Sequence, residues 1–156
     1  MRSSKPVLLV EDDDVDAMTI TRAVDGHKFA GPLIRVTNGE EALKYLRSAG
    51  NEKPCLIFLD MNMPRMNGAE FLKIIKADQM LKKLPIVVLT TSVEKRDIAD
   101  SFDSGVAGYI VKPVEYEQFV QTLKTIDLYW TLSELPNGRW QRYGKRETSN
   151  PIGRGR

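Results

Sequence analysis

The chain has 156 residues, 42% of them hydrophobic, enough for one domain of ordinary size with a buried core. Its net charge is +2, but residues 137–156 carry six Lys/Arg and one Glu, so a tail of +5 follows a body of −3. The mildly acidic body argues against whole-chain nucleic-acid binding, no apolar run reaches membrane-spanning length, and one cysteine excludes an intrachain disulfide.

Cys55 lies in an apolar run and reads as a buried free thiol, which suits a reducing, cytoplasmic compartment. The apolar run after Lys5 is too short for a signal peptide and ends in acids. The single histidine, His27, sits in a turn-rich stretch and reads as a solvated side chain.

Strand and helix signals then alternate. VLLV (7–10) is apolar throughout and reads as a buried strand. Val15, Met18, Thr19, Arg22 and Ala23 recur at helical spacing, which predicts a helix over 14–25 ended by Gly26. LIRV (33–36) is a short second strand, Asn38-Gly39 a turn, and 40–49 a second helix. CLIFLD (55–60) reads as a central strand covered on both faces, followed by a loop and a helix over 69–78. IVVLT (86–90) is strand four, a polar helix is expected over 94–103, and GYIV (108–111) is strand five. A long helix over 115–134 closes the fold, with Phe119, Val120 and Leu123 toward the sheet. Five rounds of strand then helix predict an α/β fold: a doubly wound, five-stranded parallel sheet with helices on both faces. One domain over 1–135 is expected, then a basic, flexible tail over 136–156 and no output domain.

Four acids, Glu11 to Asp14, arrive at once after strand one. Helix capping and the helix dipole account for Asp13, Asp14 and Asp16. They account poorly for Glu11 and Asp12, whose like charges at a strand end call for a cation or a proton. In a parallel sheet, ligands bind at the carboxyl ends of the strands. There the chain places Glu11 and Asp12 after strand one, Asp60 after strand three, Thr90 after strand four and Lys112 after strand five. Each residue alone is an ordinary turn or cap residue; four coinciding strand ends are not.

The set suits acceptance of a phosphoryl group. Glu11, Asp12 and Asp60 offer hard oxygen ligands to Mg²⁺ or Mn²⁺. Asp60 can act as the nucleophile and carry phosphate as an acyl phosphate. Lys112 and Thr90 can each bind a phosphoryl oxygen. No GxxxxGK[ST] or GxGxxG nucleotide cradle is present.

VLLVEDD, LIFLDMNMPRMNG, LPIVVLTTS and GYIVKP together resemble the receiver domain of two-component response regulators, which has a flavodoxin-like fold. The resemblance covers about residues 6–134. It implies that Asp60 is the phosphoacceptor, that Glu11 and Asp12 bind metal, and that the carbonyl of Asn62 completes the metal shell. It implies that Thr90 and Tyr109 form the switch, that Lys112 is the phosphate-binding lysine, that Lys112-Pro113 is cis, and that Ser92 tunes dephosphorylation. It further implies a histidine kinase or phosphotransfer protein as donor, and a switch with only self-catalysed phosphorylation and dephosphorylation. The EDD-x-x-D opening and the long last helix resemble single-domain regulators partnered with phytochromes, so a phytochrome kinase is the expected partner. Tyr129 and Trp130, near the end of that helix, are expected to face a partner, with homodimerisation through the helix.

Two rival classes are weighed. A Mg²⁺-dependent phosphohydrolase with an aspartyl nucleophile needs a second acid where Asn62 stands. A flavodoxin-like electron carrier needs a Ser/Thr/Gly-rich loop where this chain has acids. Arg139, Trp140, Arg142 and Tyr143 mix cations with aromatics, but a disordered tail or helix continuation explains them more simply than nucleic acid.

Overall fold

The computed structural model of the chain describes residues 4–91 and 105–132, with side-chain surroundings as far as Tyr129. The expected helix over 94–103, Ser92, the side chain of Trp130 and the tail lie outside the described residues. In chain order the elements are β1 (Val7–Val10), α1 (Asp14–Gly26), β2 (Leu33–Val36), α2 (Gly39–Arg47), β3 (Leu56–Asp60), α3 (Gly68–Ala77), β4 (Ile86–Thr90), β5 (Gly108–Val111) and α4 (Tyr116–Leu132).

All strand pairs are parallel, in the order β2-β1-β3-β4-β5. Side chains alternate across a strand, so each strand feeds two cores. Val7 and Leu9 of β1, Phe58 of β3 and Leu89 of β4 pack with α1 and α4. Leu8 and Val10, Ile57 and Leu59, and Ile86 and Val88 pack with α2 and α3. This two-sided demand is why β1, β3 and β4 are apolar and buried at nearly every position. β2 and β5, at the sheet edges, are only partly buried.

Polar side chains set the helix starts. Asp13 accepts from the Asp16 N–H at 2.8 Å, and Asn38 accepts from the Glu41 N–H at 2.9 Å. Asn38 is therefore the N-cap of α2 rather than the first half of a free turn. Asn67 and Glu70 close a reciprocal capping box on α3.

Not every apolar residue of α1 faces the core. Val15 and Met18 are exposed, at 71% and 62%, while Asp16, Ala17, Ile20, Ala23 and Val24 are buried. The inward turn of Asp16 accounts for this, because Ile20, Ala23 and Val24 follow it on one helical face. On α4 the expected residues Phe119, Val120 and Leu123 are buried, and Leu128 and Tyr129 are exposed. Cys55 is a buried free thiol and His27 is exposed, as expected.

Phe58 and Phe119 stack at 5.1 Å between ring centroids, joining the central strand to α4. Truncating a fully buried Phe costs about 3–5 kcal/mol. Phe58→Ala should therefore lower unfolding stability in urea by that amount, and a loss below about 1 kcal/mol would show that this core is not close-packed.

Candidate functional site

Because all five strands run one way, their carboxyl ends share one edge. Glu11 follows β1, Asp60 ends β3, Thr90 ends β4 and Lys112 follows β5. Glu11, Asp60 and Thr90 are buried at that edge, and Asp12 is exposed. The sheet register aligns Asp60 with Leu89, and Thr90 with Val111, so the neighbouring ends meet.

Lys112 is the hub. Its Nζ lies 3.0 Å from Glu11 Oε2, 3.3 Å from Asp16 Oδ2 and 3.5 Å from Asp60 Oδ2. The ladder sets its place, since the Lys112 N–H donates to the Thr90 carbonyl at 2.7 Å. Burial disfavours its charge, but the hydrogen bond to Glu11 and the charges of Asp60 and Glu11 outweigh this and raise its pKa. Burial pushes the Glu11 carboxyl up to about 7, and Asp60 adds to the rise while the Asp13 N–H and Lys112 oppose it. Burial likewise raises the Asp60 carboxyl, against the Asn62 N–H and Lys112.

The donor set fits a divalent cation. One oxygen each from Glu11, Asp12 and Asp60 lies within 4.8 Å of the others. Glu11 Oε1 and Asp60 Oδ2 are buried and have no hydrogen-bond partner among the described residues. Two such buried carboxylate oxygens beside a third acid form the kind of hard, oxygen-rich pocket that divalent cations favour. One ammonium balances only part of that charge.

The loop after Asp60 is built around the site. Asp60 Oδ1 accepts from the Asn62 N–H at 3.1 Å, and Asn62 Nδ2 donates to Thr91 Oγ1 at 3.3 Å. Gly68 packs so closely that a Cβ there would lie 2.8 Å from the Asp60 carbonyl oxygen and 2.7 Å from Met61 Cα. Lys112-Pro113 is cis, as the resemblance implied. Tyr109 is half-exposed on β5 and lines a groove of about 420 Å³ with Ile126 and Tyr129 of α4.

Two site residues escaped the sequence reading. Asp16, which helix capping explains in the sequence, is buried, pairs with Lys112, and accepts from the Val114 N–H at 3.0 Å. Its position in EDD-x-x-D was the available signal, but the contact partner lies 98 residues away. Arg35 of β2 donates from Nε to the Glu11 carbonyl at 2.9 Å and pairs with Asp14 at 3.0 Å. A lone cation in a four-residue strand was its only trace.

Residues 7–124 match the family model of the response regulator receiver domain. The chain belongs to this family. It is 36% identical over 127 residues to the probable methanogenesis regulatory protein FilR2 of Methanothrix harundinacea, covering 80% of this chain and 82% of that protein. Response regulator Rcp1 of Synechocystis is 32% identical over 130 residues, covering 81% and 88%, and its Mn²⁺-bound form matches in structure with a TM-score of 0.72. The phosphorylated cyanobacterial phytochrome response regulator RcpA matches with a TM-score of 0.74 and 38% identity, covering 85% of this chain and 98% of that one. The receiver is thus a phospho-accepting response regulator of a two-component system, and these relatives lend the phosphohydrolase reading no support.

The charge balance has a pH signature. Unfolded Glu11 titrates near 4.5, while in the fold it holds its proton to about 7. Its stabilising contribution is fully present below the lower value and is lost as pH rises through the higher one. A divalent cation binds the ionised form. The rise in thermal midpoint on adding Mg²⁺ should therefore be larger at about pH 8 than at about pH 5. Equal rises at both would separate the metal from this carboxylate.

Proposed function

We propose that the receiver takes a phosphoryl group onto Asp60 from a histidine kinase or phosphotransfer protein. The buried Asp60 Oδ2, held 3.5 Å from the Lys112 ammonium and accepting no hydrogen bond among the described residues, carries this reading. Likeness to RcpA, a phytochrome response regulator, supports a phytochrome kinase as donor, and the buried free thiol of Cys55 suits a cytoplasmic setting.

Asp60 Oδ1 is occupied by the Asn62 N–H, so Oδ2 is the oxygen left to form the bond to phosphorus. As that bond forms, the P–N bond of the donor phosphohistidine breaks and its electron pair stays on the imidazole. Lys112 provides a fixed positive charge for one phosphoryl oxygen, and the Thr90 hydroxyl can donate to another. Mg²⁺ or Mn²⁺, bound by Glu11, Asp12, Asp60 and the Asn62 carbonyl, would neutralise charge on the transferring group. Water later hydrolyses the acyl phosphate, so the protein is a switch rather than a turnover enzyme.

The output is a population shift. Thr90 drawn toward a phosphoryl group changes the packing available to Tyr109, two positions short of Val111, which pairs with Thr90. A tenfold change in active population needs about 1.4 kcal/mol, within reach of a few charge-assisted hydrogen bonds. The exposed Leu128 and Tyr129 beside the Tyr109 groove support self-association through α4.

Treatment with a small acyl-phosphate donor and Mg²⁺ should add a single acid-labile group of about 80 Da, one phosphoryl. Asp60→Asn should abolish the adduct while keeping the wild-type thermal midpoint within a few degrees. Full labelling of that variant would sink the assignment. Light scattering on the labelled protein should report a mass near that of two chains, and a monomer in both states would remove the dimer.

A further inference from the structure

We propose that Asp16 is a positioning residue for Lys112, holding the ammonium just short of Asp60 so that the nucleophilic oxygen stays open. The inference rests on Asp60 as the acceptor. Asp16 grips the chain on both sides of Pro113: Oδ2 lies 3.3 Å from Lys112 Nζ, and Oδ1 accepts from the Val114 N–H at 3.0 Å. It reaches this place from the first turn of α1, whose start is fixed by the Asp13 cap. Among the described residues it is also the one carboxylate paired with Lys112 that does not belong to the candidate cation cluster.

The distances show what Asp16 holds in balance. Lys112 is within hydrogen-bond reach of Glu11 but 3.5 Å from Asp60 Oδ2, which has no hydrogen-bond partner among the described residues. An ammonium bonded directly to Oδ2 would occupy the lone pair that must attack phosphorus and would stabilise the resting carboxylate. Asp16 pulls the ammonium from another side and prevents that collapse. Its contacts are with Lys112 and the Val114 N–H, so its effect on Asp60 runs through Lys112.

Asp16→Asn separates the two grips. The amide oxygen still accepts from the Val114 N–H, but the amide NH₂ cannot accept from an ammonium. Lys112 is then shared by Glu11 and Asp60 alone and moves onto Asp60 Oδ2. With an acyl-phosphate donor and saturating Mg²⁺, D16N should lower the maximal rate of labelling by about tenfold, as expected for a misplaced catalytic group. The donor concentration at half-maximal rate and the thermal midpoint should stay near wild type. Asp16→Ala removes both grips and should lower the rate and the midpoint together.

A merely structural role gives a wild-type maximal rate in D16N, with only the midpoint of D16A reduced. That result, or a faster D16N, overturns the proposal while leaving Asp60 in place. A wild-type protein that takes up no phosphoryl group removes the acceptor reading, and this inference with it.

Discussion

Several buried carboxylates held around one ammonium are the constraint on which this molecule depends. Glu11, Asp16 and Asp60 all face Lys112, and each is nearly sealed from solvent. Burying that many like charges is costly, and a single cation offsets only part of it. The fold tolerates the cost because the rest of the sheet is apolar and packed on both faces. The residual charge is what makes the site useful. It leaves carboxylate oxygens without hydrogen bonds among the described residues, an arrangement that suits a divalent cation.

The parallel sheet turns this local imbalance into a distributed one. Lys112 lies 101 residues from Glu11, yet their side chains touch because β1 and β5 end at the same edge. Each contributing strand is also the root of a helix or loop. Asp16 joins the start of α1 to the turn before α4, Arg35 ties the edge strand β2 to the acidic loop, and Gly68 lets α3 close against the Asp60 carbonyl. A change of charge at Asp60 therefore bears on several elements at once. β5 carries Lys112 at its carboxyl end and, through Tyr109 and Ile110, lines a groove shared with Ile126 and Tyr129 of α4.

Much of this was legible beforehand because the period of the apolar pattern carries the element type. All five strands lie within one residue of their expected bounds, and β1, β2, β4 and β5 match outright. The site residues were legible for a related reason: in a parallel sheet, whatever follows a buried strand stands at one edge. α1 is the instructive case. Its helical spacing was correct, yet Val15 and Met18 face outward, because a buried acid claims the inner face that apolar residues would otherwise occupy. Spacing alone cannot tell an inward carboxylate from a capping one.

By itself the sequence determined the alternation of strands and helices, the two-sided burial of β1 and β3, and the identity of the acids, hydroxyl and lysine at the strand ends. These follow from local properties: side-chain period, turn residues and the chemistry of single groups. Only the tertiary structure decided the strand order β2-β1-β3-β4-β5, the rotation of α1, and the sharing of Lys112 among three carboxylates. Those depend on distances between residues far apart in the chain. Such distances are set by packing and by the balance of buried charge, which no short stretch of sequence contains.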